Sequence, residues 1–278
     1  MAALPFSQVD VFAGSPLGGN PVAVVHDADD LDDATLRSFA TWTNLSETTF
    51  LLRPTTPEAD YRVRILTTSE EFPFAGHPTL GSARAWLAAG GVPRREGVVV
   101  QECGIGLVDV RIEADRLGFA APPLLRSGPL EPGLLERLRR GLGLCEDQVV
   151  ASSHLDNGPG WVVVRVPDAA TVLGLRPDPA ELAGLAVGVV GNHPAGSACA
   201  VEVRALIASP DGRMLEEDPV TGSLNAGIGQ WLTDLPEQYT ASQGTALGRT
   251  GRVRVVREGG QVWVGGTAQV VLAGTAQF

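Results

Sequence analysis

The stretch FPFAGHPTLGSARAWL, residues 72–87, places two glycines, two prolines and a histidine directly before a helical run. From Ala83 onward, Ala, Trp and Leu favour a helix, so Gly76 and His77 stand at its N-terminus. A helix N-terminus carries unpaired N–H groups and a partial positive charge, and glycine lets a ligand approach the backbone closely. The pattern predicts either an anion-binding helix start with His77 as a proton donor, or a tight turn with a capping histidine.

A second stretch, EEDPVTGSLNAG at residues 216–227, has the same construction. Gly222 and Gly227 align with Gly76 and Gly81. In both halves of the chain a Val-Arg-x-Leu strand precedes the glycines, and the helix that follows them ends in Trp-Leu. The chain therefore contains an internal repeat of about half its length, which predicts two similar halves.

The second glycine stretch also carries a carboxylate and a hydroxyl at its helix start. Asp218 precedes a proline and a Thr-Gly-Ser turn, and the N–H groups of Gly222 and Ser223 would point at an anion. The alternative is a plain helix cap, because Asp, Thr and Ser are preferred at that position. The repeated construction favours anion binding, in which two helix starts hold a carboxylate and stabilise an enolate-like anion.

The stretch NLSETTFLL contributes a carboxylate from a different segment, Glu47. If residues 45–51 are extended, Glu47 lies on the same apolar face as Leu45 and Leu51. Burial raises the pKa of a carboxyl group, which suits a group that both takes and gives a proton. The alternative is a short helix capped by Ser46, although the run Thr-Thr-Phe-Leu favours a strand.

Composition excludes several classes of protein. The 278 residues are 44% hydrophobic, enough for a packed core, and the net charge of −11 argues against a nucleic-acid partner. The absence of lysine excludes Schiff-base chemistry on a lysine. No stretch approaches 18 uninterrupted apolar residues and the N-terminus lacks a signal-peptide pattern, so we expect no membrane partner and a cytoplasmic location.

Three cysteines, Cys103, Cys145 and Cys199, stand far apart in the chain. Their spacing matches neither a zinc site nor a disulfide framework, so reduced thiols and no metal are expected. The stretch DATLRSFATWT predicts an amphipathic helix whose apolar positions include Leu36 and Trp42.

Six motifs together resemble one family. They are VDVFAGSPLGGNPVAVV, NLSETTFLL, EEFPFAGHPTLGSA, EEDPVTGSLNAG, QGTALGRTGRVRVV and VWVGGTAQVVLAG, and they run from near residue 8 to near residue 274. In this order they resemble the phenazine-biosynthesis PhzF-like proteins, which have the diaminopimelate epimerase-like fold.

The resemblance implies an α+β fold of two pseudo-symmetric halves, each a curved, mostly antiparallel sheet around a central helix. The halves are expected near residues 1–125 and 126–278, with C-terminal strands that can cross over. The central helices would begin at Gly76 and Gly222. The resemblance also implies a homodimer.

The resemblance assigns roles to seven residues. It implies that the catalytic residues are Glu47, His77 and Asp218. It implies that the substrate-binding residues are Ser46, Gly76, Gly222 and Ser223. Diaminopimelate epimerase and proline racemase use two cysteines at these helix ends, where this chain has Gly-His and Gly-Ser. A two-thiol racemase is therefore disfavoured.

The expected activity is a cofactor-independent isomerase, in which one carboxylate moves a carbon-bound proton within a small carboxylic acid. One alternative is a carboxylate-based epimerase that returns the proton to the same carbon. Another is a small-molecule-binding protein without turnover, which would fit if Glu47 were surface exposed and outside the cleft. The sequence does not identify the substrate, and the resemblance does not imply phenazine synthesis.

Overall fold

The computed structural model describes residues 3–278, which form two compact units. The first unit runs up to Ala120 and takes in Gly265–Phe278, and the second unit is Ala121–Val264. The chain passes from the second unit back into the first within its last strand.

The first unit contains two helices and eight complete strands. The helices are α1 (Asp33–Thr43) and α2 (Gly76–Ala88). The strands are β1 (Ala3–Val11), β2 (Asn20–Val25), β3 (Thr48–Leu52), β4 (Tyr61–Leu66), β5 (Glu71–Phe72), β6 (Val98–Cys103), β7 (Gly106–Glu113) and β8 (Arg116–Ala120).

The second unit contains three helices and the remaining strands. The helices are α3 (Pro132–Leu142), α4 (Ala169–Gly174) and α5 (Gly222–Trp231). The strands are β9 (Arg126–Gly128), β10 (Ala151–Asp156), β11 (Val162–Asp168), β12 (Ala186–Asn192), β13 (Val201–Ala208), β14 (Leu215–Asp218), β15 (Gln238–Gln243), β16 (Gly251–Glu258) and the first residues of β17 (Gln261–Gln277).

The two units repeat one order of strand pairing. In the first, β1–β2 is antiparallel, β2–β3 parallel, β3–β4 and β4–β5 antiparallel, β4–β6 parallel and β6–β7 antiparallel. In the second, β10–β11 is antiparallel, β11–β12 parallel, β12–β13 and β13–β14 antiparallel, β13–β15 parallel and β15–β16 antiparallel. The repeat seen in the sequence is therefore also a repeat of topology, with α2 and α5 in corresponding places.

Glycine brings each of these two helices close to its sheet. A Cβ atom on Gly81 of α2 would lie 2.2 Å from Val22 Cγ1 on β2. A Cβ atom on Gly229 of α5 would lie 2.7 Å from Val255 Cγ1 on β16. A larger residue at either position would overlap the strand. Glycine at these positions therefore lets the mostly antiparallel sheet of each unit pack closely against its buried helix.

Helix α1 has the bounds that its sequence predicts, but one apolar residue faces outward. The Asp32 side chain caps the helix by accepting from the Thr35 N–H at 2.8 Å, and Asn44 ends it in the left-handed conformation. Leu36 is buried, whereas Trp42 is 80% exposed. The expectation that Trp42 joins the apolar face is wrong, because six residues carry it about 120° around the helix from Leu36.

Candidate active site

Helix α2 begins at Gly76 with no side-chain cap, and its first residues are buried. The N-cap residue, Ala75, is extended and has no side-chain acceptor, and Pro78 has no N–H. The N–H groups of Gly76 and His77 lack an acceptor within the helix. The first unit therefore presents a buried, partly positive helix start without an acidic residue in its first turn.

Glu47 lies beside this helix start. Its Oε2 is 3.4 Å from Nε2 of His77, and the two side chains are only 13% and 5% exposed. Strand β3 begins at Thr48, and all five of its residues are buried. Residues 48–51 are therefore extended as expected, whereas residues 45–47 are not part of the strand. Glu47 is placed by the turn that follows α1, next to the half-buried Ser46.

His77 is held in its neutral form. Burial lowers the pKa of His77 from 6.5 to about 3, and a hydrogen bond to the Pro21 backbone opposes that shift. Nδ2 of Asn20, the first residue of β2, lies 3.4 Å from His77 Nδ1. A neutral imidazole carries one donor and one acceptor nitrogen, so His77 can orient or relay a proton beside Glu47 at neutral pH.

We expect His77 to make the protein less stable as the pH falls. The unfolded chain binds a proton at His77 near pH 6.5, whereas the folded chain does so only near pH 3. Below pH 6.5 the unfolded state therefore binds more protons, and the free energy of unfolding falls. Urea unfolding of the wild type and His77→Asn at pH 7 and pH 4.5 should show a loss about 1–3 kcal/mol smaller in the variant.

The same comparison controls for a second histidine. Burial also lowers the pKa of His26, but both proteins contain His26, so its contribution cancels. Equal losses of stability in the wild type and His77→Asn would contradict a neutral, buried His77.

The second unit holds Asp218 at the start of α5. Its Oδ2 accepts a hydrogen bond from Thr221 Oγ1 at 2.6 Å, and its backbone carbonyl accepts from Gln243 Nε2 at 3.0 Å. Gln243 Nε2 also donates to Thr221 Oγ1 at 2.8 Å, and Gln243 Oε1 accepts from Asn225 Nδ2 at 2.8 Å. This buried network fixes the orientation of the Asp218 carboxylate and of the first turn of α5.

The first turn of α5 carries Gly222 and Ser223, and no side chain caps it. Ser223 Oγ accepts from the indole Nε1 of Trp161 at 3.0 Å. The Ser223 carbonyl accepts from Asn157 Nδ2 at 2.9 Å. Like α2, α5 therefore starts with backbone N–H groups that lack an acceptor within the helix, and here a hydroxyl lies beside them.

The predicted residues fall into two groups. Ser46, Glu47, Gly76 and His77 lie together in the first unit, whereas Asp218, Gly222 and Ser223 lie together in the second. Their roles in binding and catalysis stay predictions. Some residues that contact these groups were not predicted as site residues, namely Asn20, Asn157, Trp161 and Gln243. The internal repeat could have pointed to two of them. Asn20 and Trp161 occupy matching places in the two halves, at the entry to β2 and to β11.

The three cysteines lie outside helices α2 and α5. Cys103 ends β6 and its Sγ lies 3.6 Å from the Gly106 carbonyl, while burial raises the pKa of its thiol. Cys145 is exposed and Cys199 is buried. Neither of them lies in α2 or α5.

Replacing all three cysteines should leave the turnover within about tenfold of wild type, which is roughly 1.4 kcal/mol of activation free energy. A thiolate base needs surroundings that lower its pKa, and Cys103 has the opposite. Turnover and melting curves of the triple Ala variant measure this. A folded variant without turnover would make the chemistry thiol-dependent.

Within residues 3–278 no group of three or more His, Cys, Asp or Glu side chains could hold a metal ion. Across the same residues, no helix has both the length and the apolar character needed to cross a membrane.

Known proteins match nearly the whole chain. A family model described as phenazine biosynthesis-like protein (PhzC-PhzF) matches residues 9–276. Antisense-enhancing sequence 1 of Schizosaccharomyces pombe is 34% identical, and the match covers 97% of each chain. Trans-2,3-dihydro-3-hydroxyanthranilate isomerase of Pseudomonas aeruginosa is 33% identical, with 90% of this chain and 89% of that protein covered.

A solved structure matches the fold. The crystal structure of a phenazine biosynthesis protein of the PhzF family from Enterococcus faecalis is 25% identical and covers 100% of both chains with a TM-score of 0.81. This match confirms the expected α+β fold of two repeated halves.

Proposed function

The chain belongs to the PhzC-PhzF family of phenazine biosynthesis-like proteins and is an isomerase, and on this basis we propose that it moves a carbon-bound proton within a small carboxylic acid, without a cofactor. Glu47 is assigned as the single acid/base group. Trans-2,3-dihydro-3-hydroxyanthranilate, which relatives are named for, is the first compound to test as a substrate.

The proposed reaction is a balanced proton shift. The Glu47 carboxylate takes a proton from one carbon of the substrate, and the electron pair of the broken C–H bond is delocalised into the unsaturated acid. The protonated Glu47 then returns the proton to a different carbon. The substrate is neither oxidised nor reduced, so the reaction needs no external electron carrier.

The other residues stabilise the charge that develops on the substrate. Backbone N–H groups at Gly76 and Gly222, the hydroxyl of Ser223 and the partial positive charge of each helix start favour an anion. Neutral His77 lies close enough to Glu47 to orient its carboxyl group. Asp218, held by Thr221 and Gln243, is assigned to orient the substrate and so to assist the protonation that Glu47 carries out.

One observation carries this proposal: Glu47 and a neutral His77 lie 3.4 Å apart at a buried helix start. The low exposure of Glu47 also argues against a binding protein without turnover, because that alternative would fit a surface-exposed Glu47. A buried carboxylate beside an uncharged proton carrier is suited to repeated proton transfer.

The test is to incubate the protein with trans-2,3-dihydro-3-hydroxyanthranilate in D₂O and follow the product by NMR. Isomerisation with the proton relocated to another carbon supports the proposal. Deuterium that enters at the original carbon, with inversion, identifies the epimerase alternative. The absence of both isomerisation and deuterium exchange, with this compound and with a panel of small unsaturated amino and hydroxy acids, would contradict enzymatic proton transfer.

We also propose that the protein is a homodimer. The β17 segment from Gln269 to Gln277 contains no charged residue and no proline, and Val271 and Leu272 are 42% and 54% exposed. An uncharged, exposed strand favours association with another chain. Light scattering should give about twice the 29.0 kDa of one chain, and a monomer mass at every concentration would contradict the proposal.

A further inference from the structure

Residues 156–161, here called the 156–161 loop, connect β10 to β11 and contact the first turn of α5. The Asp156 Oδ1 accepts hydrogen bonds from the N–H groups of Gly158 at 2.8 Å and Gly160 at 2.9 Å. The Leu155 N–H donates to the Trp161 carbonyl at 2.9 Å, which closes the loop. Gly160 is in the left-handed region with φ 76°, so glycine is suited to this closed form.

The closed loop directs two side chains at one residue of α5. Trp161 Nε1 donates to Ser223 Oγ at 3.0 Å, and Trp161 is only 2% exposed. Asn157 Nδ2 donates to the Ser223 carbonyl at 2.9 Å. The position of Ser223 is therefore set from both its side chain and its backbone.

The contact with Trp161 determines how the Ser223 hydroxyl can act. An indole N–H is a donor only, so Ser223 Oγ must accept from it. The hydroxyl hydrogen of Ser223 is then available to donate elsewhere, and no second hydrogen bond of this hydroxyl is found among residues 3–278. At an uncapped helix start, the group that such a donor suits is a negatively charged oxygen.

The contact with Asn157 leaves a second group of this loop without a partner. With Nδ2 bonded to the Ser223 carbonyl, its Oδ1 is buried and has no hydrogen-bond partner within the described part of the chain. A buried acceptor without a partner is unfavourable, and a ligand donor would satisfy it. A ligand that offers an anionic oxygen and a neighbouring N–H or O–H group would satisfy both side chains.

We propose that the 156–161 loop determines substrate specificity: Trp161 positions Ser223 to donate to the substrate carboxylate, and Asn157 Oδ1 accepts from an amino or hydroxyl group next to that carboxylate. This inference rests on the proposed function, since it takes the α5 start as part of the substrate site. It restricts the substrate class to acids that carry a hydrogen-bond donor close to the carboxylate. Trp161 is a positioning residue in this scheme, because it acts through Ser223.

The binding of two stable aromatic acids distinguishes the role of Ser223 from that of Asn157. Anthranilate has a carboxylate with an adjacent amino group, and benzoate has the carboxylate alone. Calorimetry gives the dissociation constant of each acid for the wild type, Trp161→Phe, Ser223→Ala, the double variant and Asn157→Leu. Trp42→Phe serves as a matched control, because Trp42 is 80% exposed and lies in the first unit.

The expected pattern is specific. Trp161→Phe and Ser223→Ala each weaken both acids by about tenfold, the size expected for a hydrogen bond to a charged group, and the double variant is no weaker than Ser223→Ala. Asn157→Leu weakens anthranilate by about tenfold and leaves benzoate unchanged. Trp42→Phe binds both acids as the wild type does.

Phenylalanine leaves a cavity where the indole was, so a second replacement keeps the volume. Incorporation of 3-benzothienylalanine at position 161 replaces the indole N–H by sulfur in a ring of nearly the same shape. If this variant binds as tightly as the wild type, Trp161 does not position Ser223. Additive losses of about hundredfold in the double variant would also overturn the proposal, because Trp161 would then act independently of Ser223.

Two further results would contradict the inference. Equal weakening of anthranilate and benzoate in Asn157→Leu would mean that Asn157 only supports the loop. A wild type that binds neither acid at millimolar concentration would remove the assignment of Ser223 to a carboxylate. These affinities do not depend on proton transfer, so a failure of the D₂O experiment would count against the proposed function without changing them.

Discussion

Glu47→Gln is expected to lower the turnover by about a thousandfold or more while the protein stays folded. Glutamine keeps the size and hydrogen-bonding capacity of the side chain but cannot take up a proton from carbon. The Glu47 side chain is only 13% exposed, and its Oε2 lies 3.4 Å from His77 Nε2 at the start of α2. The measurements are turnover on the substrate found in the D₂O experiment and a melting curve.

Glu96→Gln is the matched control for this variant, because Glu96 is exposed and lies outside both groups of site residues. It should keep wild-type turnover and stability. A folded Glu47→Gln protein with turnover near wild type would remove the assignment of Glu47. A variant that does not fold would be compared with Glu47→Asp, which keeps the acid and should retain partial turnover if Glu47 is the base.

Glu217→Ala is expected to destabilise the fold by about 3–5 kcal/mol. Arg204 binds Glu217 through Nε at 3.1 Å and Nη2 at 2.7 Å, and the two side chains are 9% and 10% exposed. Removing the carboxylate leaves a buried guanidinium without a counter-charge, and the carbonyls of Val172 and Leu175 that lie near it compensate only in part. Urea unfolding measures the loss.

The control is an exposed pair of similar geometry. Arg95 Nη1 lies 2.9 Å from both oxygens of Asp109, but the side chains are 56% and 41% exposed. Asp109→Ala should cost less than about 1 kcal/mol, because water solvates the remaining charge. Equal losses in the two variants would show that burial does not determine the contribution of the Arg204–Glu217 pair.

This buried pair has a counterpart in the first unit. Arg64 binds Glu71 through Nε at 2.8 Å and Nη2 at 2.7 Å. Both arginines belong to the repeated Val-Arg-x-Leu strands, and both glutamates lie on the short strand before the central helix. The repeat of the arginine and of the Glu-Glu pair in both halves is visible in the sequence. Spacing alone, however, could not show that the arginine and the glutamate of each half form an ion pair.

Local patterns predicted several parts of the chain correctly. The bounds of α1 follow from apolar periodicity and from its Asp cap, and the starts of α2 and α5 follow from glycine before a helical run. The same kind of reasoning failed at Trp42 and at residues 45–47, where a helical rotation and a turn decide the exposure. In both cases the pattern indicated an apolar segment but not which neighbour covers it.

The sequence by itself determined the repeat, the two glycine helix starts and the residue types available for proton transfer, because these depend on neighbours along the chain. Only the tertiary structure decided which side chains meet. Asn20 approaches His77 across 57 residues, and Trp161 bonds Ser223 across 62. Such contacts depend on strand register and on the packing of a whole sheet against its helix, so no local pattern contains them.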